Sequence, residues 1–144
     1  TVTEAHEPIP LRLYSFPNYP DGLVRTSARQ LAKFGGVFAA IGEQQGHPLL
    51  KSATVQRCFS QEWLVTNDVV ENGIQGLTWR SIPQPDGSII WGHDGGDPGI
   101  STRLAVRPED GAGIVILTNT NHPPESMDTL SDILWNIKPQ PYRP

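Results

Sequence analysis

Two turn sequences, Pro83-Gln84-Pro85-Asp86-Gly87 and Pro108-Glu109-Asp110-Gly111, divide the second half of the chain into short runs that leave room for strands and little else. Asp-Gly offers the positive φ values that a reversing turn demands. Residues 73–82 and 88–91 therefore read as one antiparallel hairpin, and residues 100–106 and 113–117 as a second. Before residue 73 the period is different. Leu31, Phe34, Phe38 and Ile41 recur at spacings of three and four behind Thr26 and Ser27, either of which caps a helix running to about residue 41. Gly35 and Gly36 inside that helix cost about 1 kcal/mol each relative to Ala, which implies close packing against a neighbour.

A shorter helix starts at Ser52 and takes in Val55 and Phe59. A last one spans 124–137, with Met127, Leu130, Ile133, Leu134 and Ile137 on one face, Pro123-Pro124 at its start and Pro139 at its stop. Ahead of all these, Pro8, Pro10, Pro17 and Pro20 remove backbone donors and fix φ, so the opening stretch is extended and irregular and ends in the turn Pro20-Asp21-Gly22. The order of elements is that of an α+β chain, an antiparallel sheet of about three to four strands flanked by helices. It is organised as a single domain or fragment: an irregular lead over 1–25, a helical part over 26–62, strands over 73–119 and a C-terminal helix over 124–137.

With 144 residues and 37% hydrophobic content, such a domain buries roughly two thirds of the surface its unfolded form exposes. Eleven Lys and Arg against 15 Asp and Glu give a net charge of -4, and no basic run is present to neutralise a series of phosphates, which excludes nucleic acid as a partner. The single cysteine, Cys58, excludes an internal disulfide and a multi-thiolate metal site. Apolar stretches such as 111–117 are too short to cross a bilayer, so no membrane span is expected. The start Thr-Val-Thr lacks Met and has neither the basic nor the apolar part of a secretory signal; it reads as a cleavage product or a piece of a longer polypeptide.

Chemistry concentrates in Trp91-Gly92-His93-Asp94-Gly95-Gly96-Asp97-Pro98-Gly99. Lacking a Cβ, Gly95 and Gly96 can present N–H groups to a bound carbonyl oxygen, while His93 supplies a titratable donor or acceptor beside them. The same residues read equally well as a glycine-rich turn carrying an incidental histidine. Ser101 and Thr102 follow as candidates for substrate contact, although strand polarity accounts for them as well. Asp94 and Asp97 with His93 form a weaker candidate for a cation or an acid–base pair. His6, His47 and His122 have no companion at i+4 and read as surface residues, so neither a metal site nor a cofactor is expected. Trp63, Trp79, Trp91 and Trp135 read as core or cleft walls.

The run from Trp91 through Arg107-Pro108-Glu109-Asp110-Gly111 to Ile114-Val115-Ile116-Leu117-Thr118-Asn119 is similar to the final signature of serine β-lactamase-like hydrolases, the penicillin-binding proteins and class C-type esterases. Tyr19-Pro20-Asp21-Gly22-Leu23, Leu31-Ala32-Lys33-Phe34, Leu49-Leu50-Lys51-Ser52 and Gly76-Leu77-Thr78-Trp79 fall upstream in that family's order, so the resemblance covers almost the whole chain. It implies the C-terminal portion of a β-lactamase/transpeptidase-like fold. It also implies that His93-Asp94-Gly95 is a His-x-Gly wall of an active site, that Gly96 gives one of two oxyanion amides, and that His93 orients substrate or assists proton transfer. On that reading His93, Gly95 and Gly96 are the catalytic candidates, and Asp94, Ser101 and Thr102 the substrate-binding ones.

The family's Ser-x-x-Lys nucleophile is absent from this sequence. Three positions before Lys33, Lys51 and Lys138 stand Gln30, Pro48 and Trp135, no Asn has Tyr or Ser two places earlier, and no Gly-x-Ser-x-Gly elbow substitutes. The resemblance therefore implies a segment of a serine hydrolase for a small acyl substrate, partnered by an N-terminal nucleophile-bearing segment or self-associating through the edge of strand 113–117. The competing readings are a non-catalytic binding or oligomerisation module derived from that fold and, last, independent acid–base catalysis by His93 and the nearby aspartates.

Overall fold

A computed structural model describes residues 9–17, 19–44, 47–60 and 74–137 of the chain. The lead over 9–17 has no regular structure, as its prolines require, and one 3-10 turn, Tyr19–Asp21, closes it. Helix α1, Ala28–Ala39, starts where its side chains can cap it. Ser27 Oγ accepts the Gln30 N–H at 3.2 Å and Gln30 Oε1 accepts the Ser27 N–H at 3.2 Å, a reciprocal box that satisfies two backbone donors. The helix ends at Ala40, before Ile41 and Gly42 take positive φ values of 54° and 101°.

The phase of α1 differs from the Leu31–Phe34–Phe38–Ile41 stripe that spacing suggests. Gly35, Val37, Phe38 and Ala39 are the buried residues, Phe34 is 53% exposed, and Ile41 lies beyond the helix. Gly35 explains the rotation, because a Cβ there would come within 2.8 Å of Leu104 Cδ1. The bare glycine lets the helix lie close on the sheet. Gly36 has no such role, with nothing within 4 Å of its Cβ position. Strands β1, Glu43–Gln44, and β2, His47–Pro48, form a minimal antiparallel pair, and α2 follows at Ser52–Cys58 with Val55 fully buried.

The main sheet has four antiparallel strands in the order β3-β4-β5-β6, being Arg80–Pro83, Ile89–Asp97, Ile100–Arg107 and Ala112–Thr118. β5 and β6 lie within a residue of the sequence-based limits. The other two strands differ. Strand β3 is only the end of the 73–82 run: Gly76 donates to Trp79 O at 2.8 Å in a tight loop, and a Cβ on Gly76 would fall 2.0 Å from the Cys58 carbonyl oxygen. β4, by contrast, runs on through the glycine-rich segment, which is therefore strand and not turn. The reversal falls to Pro98-Gly99 alone, where proline fixes φ and Gly99 takes φ +77°. His6, Trp63 and the join between the helical part and the strands lie outside the described residues.

Alternation along the strands sorts two cores onto opposite faces of the sheet. On one face Trp91 and Val106 meet Val37, Phe38 and Ala39 of α1, Val55 of α2 and Trp79. Ring contacts of 4.8 Å between Phe38 and Trp79 and 5.1 Å between Phe59 and Trp91 tie this layer together. On the other face Ile90, Ala105, Ile114 and Ile116 pack on Met127 of α3, Pro124–Asn136. Fully burying a side chain such as Val106 is worth about 1.5–3 kcal/mol, so each face contributes substantially.

The phase of α3 also departs from expectation. Met127 and Ser131 are buried, whereas Leu130, Ile133 and Ile137 are 36%, 55% and 56% exposed. The helix is turned so that Asp128 and Ser131 reach Arg103 on the sheet, a polar attachment that hydrophobic spacing alone cannot reveal. Among the described residues no helix is long and apolar enough to cross a membrane.

Candidate functional site

β3 stops pairing at Arg80 opposite Gly92 and the ladder to β5 begins at Trp91, so Ile89 and Ile90 pair with β3, and β4 is laddered on both edges at Trp91 and Gly92. From His93 to Asp97 it pairs, among the described residues, with β5 alone: His93 with Leu104, Asp94 with Arg103, Gly95 with Thr102, Gly96 with Ser101 and Asp97 with Ile100. A two-residue reversal makes Asp97 and Ile100 a mutually bonded pair, and bonded and non-bonded pairs then alternate back along the ladder. Gly95 and His93 accordingly bond to β5, while Gly96 and Asp94 turn their N–H and C=O toward the edge that β3 has left. Ser101, opposite Gly96, bonds in the same sense away from β4, its N–H going to Thr118 Oγ1 at 3.2 Å. The space at Gly96 is open, with nothing within 4 Å of a Cβ built there.

The six sequence candidates divide between the two faces. His93, Gly95 and Thr102 share the face of Trp91. His93 is exposed, and its Nδ1 lies 3.0 Å from Asp94 O. A carbonyl only accepts, so this contact requires the proton on Nδ1 and leaves Nε2 as an acceptor in the neutral ring. Thr102 Oγ1 donates to Gly95 O at 3.4 Å, and a Cβ on Gly95 would sit 2.5 Å from that hydroxyl. The threonine occupies the room a side chain at 95 would need. Gly96 belongs to neither group by side chain and offers its amide at the edge.

Asp94 and Ser101 lie on the opposite face with their side chains committed to structure. Asp94 takes a two-pronged contact from Arg103, Nε at 2.7 Å and Nη2 at 3.0 Å, while Arg103 Nη1 donates to Asp128 Oδ1 and Ser131 Oγ, both at 2.8 Å. Hydrogen bonding to Asp94 holds the guanidinium well above its ordinary range; burial opposes it next, and the hydrogen bond to Asp128 adds a smaller rise. Ser101 is 7% exposed, and its Oγ accepts the His122 N–H at 2.8 Å. A cavity of about 230 Å³ lies on this same side between the sheet and α3, lined by Ile90, Arg103, Asp128, Ser131 and Trp135 among others. Among the described residues no group of three or more His, Cys, Asp or Glu is placed to hold a metal ion.

A family model described as Beta-lactamase matches residues 2–136, nearly the whole chain. The chain belongs to the Beta-lactamase family. Among solved structures it is similar to the octameric penicillin-binding protein homologue from Pyrococcus abyssi, at 18% identity and a TM-score of 0.58 over 76% of this chain. That likeness is one of fold. The aligned part is 24% of the archaeal protein, so the chain spans about a quarter of that relative's length. No curated protein matches it.

Within this family member, several contacts at the site end of the sheet escaped sequence reasoning. Asn121 braces the β4–β5 turn, its Oδ1 accepting the Gly99 N–H at 2.7 Å and its Nδ2 donating to Asp97 O at 3.1 Å. Tyr14 from the lead donates its hydroxyl to Pro98 O at 3.1 Å; partial desolvation, and secondarily the charge of Asp97, push that hydroxyl above its usual range. Leu11 lies against Gly99. Nothing local in the sequence announces Asn121 or Tyr14, since both act on residues far along the chain. Arg103 did carry a signal: taking Pro98-Gly99 as the whole turn places it directly across from Asp94.

Proposed function

We propose that the chain is the C-terminal segment of a serine hydrolase acting on an ester, amide or β-lactam carbonyl by acyl-enzyme chemistry. The observation that supports the reading is the half-strand from His93 to Asp97, where β3 no longer pairs, the Gly96 amide is turned to that edge and His93 is exposed on the same half-strand. A hydroxyl supplied by a separate segment attacks the carbonyl carbon there, and the displaced electron pair moves onto the carbonyl oxygen. Gly96 N–H donates to that oxygen as one of two oxyanion donors. Such a donor typically contributes on the order of 2.7 to 4 kcal/mol to the transition state. His93 Nε2 serves as an acceptor that orients the incoming group or helps carry its proton. Thr102 stands on the same face for substrate contact, whereas Asp94 and Ser101 support the strand from behind.

The nucleophile-bearing segment docks, on this reading, along β6, which among the described residues ends the sheet order as an edge strand with Ile114 and Ile116 buried and Leu117 37% exposed. A second copy of the chain competes for the same edge. The alternative of a non-catalytic oligomerisation module rests on that edge too, and the octameric state of the archaeal homologue favours it.

One experiment separates these readings. The chain is incubated with a fluorescent fluorophosphonate or a fluorescent penicillin, alone and with an added N-terminal segment carrying Ser-x-x-Lys. The hydrolase reading expects labelling only in the mixture, on the added segment, and at least about 100-fold slower labelling with His93→Ala, within the usual range for a lost acid–base group. Absence of labelling in a mixture that light scattering shows to be assembled would sink it. Discrete assembly of the chain alone, without labelling in any mixture, would instead favour the oligomerisation module.

A further inference from the structure

Resting on that reading, we infer that Arg103 is a positioning residue for the site, holding the half of β4 beyond its pairing with β3 from the face opposite His93 and so fixing where the Gly96 amide points. β3 no longer supports β4 beyond Gly92, and the apolar core on the α3 side reaches no further along β4 than Ile90. On that face of the remaining strand Gly96 carries no side chain, which leaves Asp94 as the side chain able to reach another element. Arg103 grips both carboxylate oxygens of Asp94, at 2.7 and 3.0 Å, and is itself fixed to α3 through Asp128 and Ser131 at 2.8 Å. A fork of this kind constrains direction as well as distance. The clamp thus takes over the support that β3 gives the first half of the strand.

The orientation of α3 points the same way. The helix leaves Ile133 and Ile137 more than half exposed while burying Ser131 against the arginine. Asn121 holds the other end of the half-strand through Asp97 O, so Gly96 lies between two fixed points. The Arg103 side chain is 11% exposed, but its carboxylate partners are 44% and 64% exposed. Removing the arginine therefore strands no buried charge, and the fold is expected to survive the substitution.

The test uses the 144-residue chain in two settings. In the chain itself, amide hydrogen exchange is compared among wild type, Arg103→Met and Arg103→Lys. Exchange at His93 and Gly95 is expected to rise about tenfold in Arg103→Met, the scale set by one lost charge-assisted hydrogen bond, while Trp91 stays within about twofold; Lys restores part of the protection. In the mixture with the nucleophile-bearing segment, Arg103→Met is expected to lower kcat of ester hydrolysis by roughly 10- to 100-fold with KM within about twofold, as misplacement of a transition-state donor should. Equal loosening at Trp91, or selective loosening without a change in kcat, overturns the inference and leaves Arg103 a general staple. A wild-type mixture that hydrolyses normally beside an unaffected Arg103→Met overturns the inference alone. A wild-type mixture that never reacts overturns the hydrolase reading and the positioning role with it.

Discussion

Ile89 to Gly92 and His93 to Asp97 are two halves of one strand under opposite constraints. The first half is paired with β3 throughout and with β5 as well at Trp91 and Gly92, and Ile90, Trp91 and Gly92 in it are buried; the second, among the described residues, is bonded to β5 alone, with His93, Asp94, Gly95 and Gly96 exposed. Rigidity for the exposed half comes from outside its own ladder, through Arg103 behind it and Asn121 at its tip. A strand of this kind can present backbone donors to a ligand, because they are not spent on a neighbouring strand, and still hold them in place.

The largest test of that contrast compares two residues on one face. Trp91 is 7% exposed and rests on Phe59, so Trp91→Ala should cost about 3–5 kcal/mol. His93, two positions on, should change stability by less than about 0.5 kcal/mol when replaced by Ala. Urea unfolding of both variants decides it, and a His93→Ala loss above about 1 kcal/mol would break the division between the halves. A smaller effect is expected on the other face from a single substitution made twice. A Cβ on Gly92 meets the Leu104 carbonyl oxygen at 3.2 Å and Ala105 Cβ at 3.3 Å, so Gly92→Ala should cost about 1–2 kcal/mol. Gly96→Ala meets nothing within 4 Å and should be neutral or stabilising by up to about 1 kcal/mol. Similar costs at both sites would mean that Gly96 is not at an open edge.

The contrast also shows what the residues alone could reveal. Period and punctuation gave α1, α2, α3 and the β5–β6 hairpin, because Ser27 and Pro124 at helix starts and Asp110-Gly111 at a turn act locally. Resemblance gave the family. The face each helix buries was less legible, since it depends on distant residues: Leu104 lying over Gly35, and Arg103 drawing in Asp128 and Ser131. The glycines of β4 misled for a physical reason. Glycine permits turns without requiring them, and here the turn needed only Pro98 and Gly99. Reading the run as a turn hid the alternation that separates His93 and Gly95 from Asp94 and Ser101.

Support for the buried half can be weakened from a distance. Ser27→Ala removes the acceptor of the Gln30 N–H at the start of α1, the helix that covers Trp91 and Val106. A loss of about 1 kcal/mol is expected, with no selective change in exchange at His93 or Gly95. Preferential loosening at those two amides would show that α1, and not the Arg103 clamp, steadies the exposed half.

The smallest effect belongs to the end of the sheet away from the site, where both turns are closed by aspartates. Asp86 accepts from Ser88 Oγ at 2.7 Å and Ser88 N at 2.9 Å, and Asp110 accepts from Arg107 and from Ala112 N at 3.1 Å. These bonds hold both carboxyls below the ordinary value of 3.8, Asp86 chiefly through the Ser88 hydroxyl and Asp110 chiefly through the Arg107 guanidinium. Between the depressed folded value and 3.8 the unfolded chain binds more protons than the folded one, so stability rises with pH across that interval. The contribution is complete above it and is lost as pH falls through the folded value. Asp110 is 49% exposed in its side chain, so solvent screening reduces its share to a few tenths of a kcal/mol. Asp110→Asn keeps an oxygen for the Ala112 N–H but loses the charge facing Arg107. Its unfolding free energy should therefore fall less steeply than that of wild type between about pH 5 and about pH 2.5. Identical slopes would mean that Arg107 contributes nothing through Asp110, and that the turns at this end hold by backbone geometry alone.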